Sequence, residues 1–122
     1  MKAYTDLEQS KTLAEILPTE SADMYYHPYP NDEDWYDIPN FGEADLKFNQ
    51  LPCWSIAALL DVIRKCCERF ELTLRADKRY NIFGTASNDF VYHSFDEHPE
   101  GIDNLIDACY EMILKLHEEK LL

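Results

Sequence analysis

The sequence predicts an α+β fold, a single domain of residues 1–122 in which two to three helices pack on a small antiparallel sheet. Two segments, Pro52–Phe70 and Ile102–Leu116, carry apolar residues at the three-and-four spacing of an amphipathic helix. Between them, Glu71–Phe95 alternates apolar and polar residues and is interrupted by turn residues, which is typical of three short strands. With 122 residues, 46% of them hydrophobic, the chain can bury roughly two-thirds of its unfolded surface.

A first helix is predicted from Asp6 to Leu17. Thr5 and Glu8 have the spacing of a capping box, in which each side chain accepts a hydrogen bond from a backbone N–H group at the helix start. Pro18 ends the helix, because the residue before a proline avoids the helical conformation. We expect a short strand at Ala22–Tyr26, a fourth strand that lies at a sheet edge because prolines follow it.

Residues 31–50 are expected to be irregular, with at most a turn or two of helix, and they belong to an acidic and aromatic region at residues 23–50. Prolines interrupt any long helix here, and Phe41–Gly42 marks a turn. The segment is longer than an ordinary connection between elements. Five large side chains favour a packed loop over a flexible linker: Trp35, Tyr36, Ile38, Phe41 and Phe48.

The second helix is predicted to begin at Pro52, because a proline in the first turn loses no hydrogen bond. The predicted strands Phe70–Ala76, Tyr80–Thr85 and Phe90–Phe95 are separated by turns at 77–79 and 87–89. The alternation in the first strand predicts that it is half-buried, and the short turns favour an antiparallel meander. The last helix is expected to begin after Gly101 and to cover one side of this sheet.

The net charge of −13 excludes several classes of partner. A nucleic-acid backbone is bound by clustered Lys and Arg, and an anionic membrane surface also repels an acidic protein. The charge fits a solvated acidic face, a basic protein partner, or a mimic of the charge of DNA. We therefore expect no direct binding to nucleic acid or to a membrane.

Two features predict a cytoplasmic location. The first residues lack the apolar run of a secretion signal, and no apolar segment approaches the roughly 20 residues that cross a bilayer. The four cysteines form no Cys-x-x-Cys pair. They all fall on predicted helices, which favours reduced structural thiols: Cys53, Cys66, Cys67 and Cys109.

No motif predicts a catalytic residue, a metal ligand or a cofactor. The three glycines are isolated, so they do not form a phosphate-binding loop. His93, Asp96, Glu97 and His98 cluster in the sequence without the spacing of a known metal motif, and the acids at 32–37 lack the glycine and the distal acid of an EF-hand. Cys53, near a predicted helix start, is the one thiol whose pKa a helix dipole would lower.

Aromatic residues interleaved with acids form the candidate binding site. Tyr and Trp are enriched in protein interfaces because they bury a large area while keeping a polar tip accessible. Three interpretations stay open: the rings cover the second face of the sheet, they bind a basic partner, or they stack on a ligand. The candidate residues are Tyr25, Tyr26, Tyr29, Trp35, Tyr36 and Phe41.

Three stretches together carry a family resemblance: Ala22–Tyr26, Pro52–Leu60 and Asp107–Ile113. On these stretches the chain resembles a group of small hypothetical bacterial proteins that are encoded in gut-bacterial genomes, phages and mobile elements. The likeness extends from the first helix to Leu116. The group has no assigned activity, so the resemblance implies a phage-like or mobile-element accessory context and no site residues.

The sequence thus leads to one functional hypothesis with two alternatives. We expect a non-enzymatic accessory protein that binds another protein through the acidic and aromatic region. The first alternative is a DNA-mimic inhibitor whose carboxylates occupy phosphate-like positions. The second is a small hydrolase or a metal-binding protein, which needs a concave pocket with converging polar groups. Monomer and homodimer both remain open.

Overall fold

The computed structural model describes residues 2–30, 34–86 and 90–122. Its helices are α1 (Leu7–Ile16), α2 (Ile56–Cys66), α3 (Ser94–Glu97) and α4 (Leu105–Glu118), with 3₁₀ turns at Thr19–Ser21 and Leu46–Phe48. Its strands are β1 (Met24–Tyr26), β2 (Asn40–Phe41), β3 (Leu51–Cys53), β4 (Arg69–Leu74), β5 (Tyr80–Thr85) and β6 (Val91–His93). The strands form two antiparallel sheets, in the orders β2-β1-β3 and β4-β5-β6. The predicted α+β class is confirmed.

The chain divides into two compact units. The first unit is Ala3–Ala58, and the second contains the rest of the described chain, so that the boundary falls within α2. The single domain expected from the sequence stays a prediction. Among the described residues, no helix is both long and apolar enough to cross a membrane.

In the first unit, α1 begins one residue later than the predicted capping box implies. The side chain of Asp6 accepts from the Gln9 N–H (2.8 Å), and the Gln9 side chain accepts from the Asp6 N–H (3.2 Å). Thr5 is fully buried instead, and its hydroxyl oxygen accepts from the Trp54 N–H (3.1 Å). The prediction of Thr5 as the cap was wrong, because its hydroxyl forms a hydrogen bond with Trp54, the residue after β3.

The prediction that Ala22–Tyr26 lies at a sheet edge was also wrong, since β1 is the central strand of the first sheet. Met24 pairs with Phe41 of β2 on one side and with Cys53 of β3 on the other. The prolines at 28 and 30 follow the end of β1, so they remove no N–H group from it. The sequence did not predict β2 or β3, and these strands replace part of the expected irregular region.

The predicted helix Pro52–Phe70 is shorter in the structure, because α2 spans only Ile56–Cys66. Pro52 lies in β3, an edge strand where a missing N–H group is tolerated. Ser55 precedes the helix, and its hydroxyl oxygen accepts from the Ala58 N–H (3.2 Å). The apolar face that the spacing predicted includes the buried residues Leu59 and Ile63.

In the second unit, the predicted meander is confirmed, with β5 at the predicted residues 80–85. A Cβ atom added to Gly84 of β5 would lie 2.5 Å from Met112 Cε, so α4 packs directly on the central strand. The edge strand β4 is exposed along nearly its whole length. The prediction of a half-buried first strand was therefore wrong, and the predicted turn at 87–89 lies outside the described residues.

The last strand and the last helix differ from the prediction at their ends. The strand ends at His93, and the one-turn helix α3 follows at Ser94, whose hydroxyl oxygen accepts from the Ile82 N–H (2.7 Å). The final helix begins at Leu105, because the Asn104 side chain caps it and Ile102 pairs with Tyr80 instead. Its buried face contains Ile106, Ala108, Cys109, Met112, Ile113 and Leu116.

Candidate protein-binding surface

The aromatic residues before β2 are organised by a small two-stranded arrangement. The Tyr36 N–H donates to the His27 carbonyl (2.9 Å), and the Tyr29 N–H donates to the Asp34 carbonyl (2.8 Å). These bonds place the rings of Tyr29 and Tyr36 edge to face, with centroids 4.5 Å apart. His27 stacks near the Tyr36 ring, with centroids 6.4 Å apart. Tyr29 and Tyr36, two of the candidate residues, are therefore in contact.

Trp35 acts as an anchor for this arrangement. Its indole N–H donates to the Asn49 carbonyl (2.9 Å), and Lys11 Nζ lies 5.2 Å from the ring centroid. The half-buried ring packs against the core cluster of the first sheet, which contains Met24 and Leu51. Trp35 thus fixes the position of the neighbouring residues, and only part of its ring is accessible to a partner.

Tyr26 and Tyr25 are neighbours on β1 with opposite environments. Tyr26 is 1% exposed, and its hydroxyl donates to the Thr5 carbonyl (2.7 Å). Burial raises the pKa of the Tyr26 hydroxyl, so it stays protonated. Tyr25 is half-buried, and its ring lies against Gly42, where an added Cβ would come within 3.3 Å of Tyr25 Cε1. Tyr26 belongs to the core, whereas Tyr25 lies beside the exposed strand β2.

The most exposed apolar side chains of the first unit all lie in one segment, Asp34–Phe48, which we call the acidic-aromatic segment. The described part of the chain exposes five large apolar side chains here, with exposed fractions from 44% for Tyr36 to 82% for Phe41. The other three are Ile38, Leu46 and Phe48. The expectation that Ile38, Phe41 and Phe48 pack was therefore wrong.

Exposed acidic side chains occur in the same segment. The segment contains four exposed carboxylates and a single basic residue, Lys47. Asp37 also lines an open cleft of about 400 Å³ together with Asp6, Leu7 and Glu8 at the start of α1. The acidic-aromatic segment thus combines exposed apolar side chains with negative charge. The exposed carboxylates are Asp34, Asp37, Glu43 and Asp45.

Ile38, Leu46 and Phe48 are not among the candidate binding residues that the sequence predicts. The available signal was their position in a segment without helical or strand periodicity, where no regular element carries an apolar side chain into the core. Of the predicted residues, the structure exposes Tyr36 and Phe41, leaves Tyr25, Tyr29 and Trp35 half-buried, and buries Tyr26.

The cysteines do not form a nucleophilic site. All four are free thiols, and burial raises the pKa of each one, for Cys109 to about 12. Cys53 lies on β3 rather than at a helix start, so no helix dipole lowers its pKa. The expectation that all four lie on helices was wrong for Cys53 and for Cys67, which follows the end of α2. These thiols are protonated at neutral pH, whereas the reactive species is the thiolate.

The metal candidate at residues 93–98 does not form an assembled site among the described residues. Within residues 2–30, 34–86 and 90–122, no three His, Cys, Asp or Glu side chains converge to hold a metal ion. His93 instead lies edge-on to the Phe83 ring, with centroids 5.7 Å apart. Two of the four acids of the calcium candidate lie outside the described residues.

A cleft of about 290 Å³ lies on the outer face of the second sheet, around Phe83. Arg69 lies over the Phe83 ring, 5.6 Å from its centroid, and donates to the Glu71 carboxylate (2.6 Å). Arg69 is thus paired with Glu71 within this cleft.

No protein-family model, curated protein or solved structure matches the chain. The resemblance to phage-associated bacterial proteins accordingly stays a prediction.

Proposed function

We propose that this protein is a non-enzymatic accessory protein that binds a basic partner protein through the acidic-aromatic segment. The observation that carries the proposal is the exposure of five large apolar side chains within residues 36–48. Water-exposed apolar groups gathered in one segment are typical of an interaction surface, whereas single exposed apolar residues are ordinary.

The exposed rings would supply most of the binding free energy. Burying one Phe side chain contributes about 1.5–3 kcal/mol, and interface energy is usually concentrated in a few aromatic anchors. Phe41, at 82% exposure, has nearly its whole surface left to bury. It extends from β2, which pairs with β1, so that its backbone is held in place before binding.

The exposed carboxylates of this segment would select the partner and speed its approach. Charges at the rim of an interface change the association rate and its salt dependence more than they change the affinity. The net charge of −13 adds a long-range attraction to a basic surface. A partner that fits has an apolar depression bordered by Lys and Arg.

The apolar side chains favour this function over DNA mimicry. A duplex mimic needs uninterrupted rows of outward carboxylates, because a DNA-binding cleft recognises phosphates at regular spacing. In the acidic-aromatic segment, exposed Ile38 and Phe41 lie between Asp37 and Glu43 in the sequence. The protonated cysteines likewise favour binding over thiol-based hydrolysis.

Affinity capture with the full chain from a bacterial lysate tests the proposal. Phe41→Ala combined with Phe48→Ala removes two exposed anchors, and Val91→Ala, at a site in the second unit that is 60% exposed, is the matched control. We expect quantitative mass spectrometry to find proteins that the unchanged chain and Val91→Ala both retain, with retention at least tenfold lower for the double variant.

The captured proteins should also be released by salt, because exposed charge pairs are screened. Equal capture by the double variant and the unchanged chain would refute the proposal. Folding of each variant is checked by circular dichroism, since these exposed positions contribute little to the core.

A further inference from the structure

The strand β4 forms an open edge of the second sheet. The Arg75 N–H donates to the Arg79 carbonyl (2.8 Å), which extends the β4–β5 register beyond Leu74–Tyr80. Because peptide groups alternate in direction along a strand, those of Thr73 and Glu71 also face β5. The N–H and C=O groups of Phe70, Leu72 and Leu74 therefore point away from the sheet, and in the described part of the chain no other element pairs with them.

Strand β4 lacks two of the features that usually protect an edge strand, a proline and a very short length. It is six residues long, without proline or glycine, and it exposes Leu72 and Leu74, the latter at 64%. Such an edge is a template for pairing with another strand. Its charge also differs from that of the whole molecule, because residues 64–79 contain six of the 11 Lys and Arg but only three of the 24 acids.

The sequence of β4 is complementary to itself in one register. Centring an antiparallel pair on Thr73 places Glu71 opposite Arg75 of the second copy and Leu72 opposite Leu74 of the second copy. The outward groups of Leu72 and Leu74 then form a hydrogen-bonded pair, as their direction requires. Opposite charges and apolar pairs across strands are both stabilising.

The neighbouring registers are less favourable. Centring on Glu71 places two carboxylates directly opposite each other, and centring on Leu72 places Arg69 opposite Arg75 of the second copy. Centring on Leu74 runs the pair into the turn after Arg75. The register centred on Thr73 alone combines opposite charges with full use of the strand.

We propose that two copies of this chain associate through antiparallel pairing of their β4 edges, with the twofold axis at Thr73. The two sheets become one sheet of six strands. This surface lies in the second unit and is separate from the acidic-aromatic segment, so the proposal does not depend on the proposed function.

Disulfide trapping tests the register directly. At the axis the two Thr73 residues form a non-hydrogen-bonded pair with Cα atoms about 4.5 Å apart, within the range that a disulfide spans. We expect Thr73→Cys to give a covalent dimer under mild oxidation. Glu71→Cys is the matched control, because its copies lie four residues apart across the axis, and the unchanged chain shows the background from the native thiols.

Charge reversal tests the pairing without oxidation, by sedimentation velocity over a concentration series. Glu71→Arg should weaken dimerisation at least about tenfold, and adding Arg75→Glu should restore it, whereas Glu20→Arg, an exposed site in the first unit, should have no effect. Arg75 also donates to the Pro99 carbonyl (2.8 Å), so thermal unfolding is recorded for every variant.

Two results would overturn the proposal. One is a chain that stays monomeric up to ~1 mM. The other is a dimer that forms cross-links equally at positions 71 and 73 and is unaffected by Glu71→Arg. If the acidic-aromatic segment were the self-association surface instead, Phe41→Ala with Phe48→Ala would abolish the dimer while Glu71→Arg left it intact.

Discussion

Replacing Thr5 with Val tests the buried hydrogen bonds that the Thr5 hydroxyl forms with Trp54 and Ser10. The Thr5 hydroxyl oxygen is fully buried, accepts from the Trp54 N–H (3.1 Å) and shares a hydrogen bond with the Ser10 hydroxyl (2.8 Å). Val has nearly the same shape as Thr but cannot accept a hydrogen bond. The variant therefore leaves the Trp54 N–H unpaired in a site that water does not reach.

The expected loss of stability follows from the unpaired Trp54 N–H group. An unsatisfied buried donor costs about 1–3 kcal/mol, and the weakened Ser10 hydroxyl adds to it, so we expect Thr5→Val to lower the free energy of unfolding by about 2–3 kcal/mol. Thr5→Ser keeps the hydroxyl and loses only a methyl group, which costs about 1 kcal/mol.

Urea unfolding followed by circular dichroism measures both variants, with the slope of the transition checked for constancy. A Thr5→Val variant within about 0.5 kcal/mol of the unchanged chain would refute the assigned hydrogen bonds. A Thr5→Ser variant at least as unstable as Thr5→Val would also do so, because packing of the methyl group would then dominate.

Two further substitutions address the second unit. Burial raises the pKa of Tyr92 to about 12, whereas a tyrosine in the unfolded chain loses its proton near pH 10. The contribution of Tyr92 ionisation to the unfolding free energy is therefore fully present below pH 10 and is lost as the pH rises toward 12. Tyr92→Phe should therefore make the unfolding free energy fall less steeply above pH 10. Because no described residue forms a hydrogen bond with the Tyr92 hydroxyl, the variant should also be more stable at neutral pH by up to about 1 kcal/mol. A pH profile of the variant parallel to that of the unchanged chain would contradict this. Gly101 has φ +83°, and an added Cβ would lie 2.8 Å from Arg79 Cβ, so Gly101→Ala should cost about 1–3 kcal/mol in urea unfolding, and an unchanged midpoint would contradict the turn geometry.

Long periodic elements were the part of the fold that could be predicted. The apolar spacing around Ile106–Leu116 identified α4, and the turn residues on both sides of Tyr80–Thr85 placed β5. Short strands carry no such signal, because three residues do not complete a pattern. For that reason the sequence predicts a helix that begins at Pro52, whereas Leu51–Cys53 is strand β3.

Burial of a given strand was harder to predict than its existence. Alternation in β4 indicated one apolar face, but it does not reveal whether a helix covers that face. In the structure α4 packs on β5, and β4 remains at the open edge. Burial was equally hard to predict in the candidate site. Tyr25 and Tyr26 are adjacent tyrosines, and only the position of β1 in its sheet determines which of the two is buried.

Hydroxyl-radical footprinting directly tests whether a partner binds at the acidic-aromatic segment. The full chain is labelled alone and with a captured partner, and modification is measured at Phe41, Phe48 and Val91. We expect labelling of Phe41 and Phe48 to fall on binding while labelling of Val91 is unchanged. Equal labelling of Phe41 and Phe48 in the free and bound protein would contradict it.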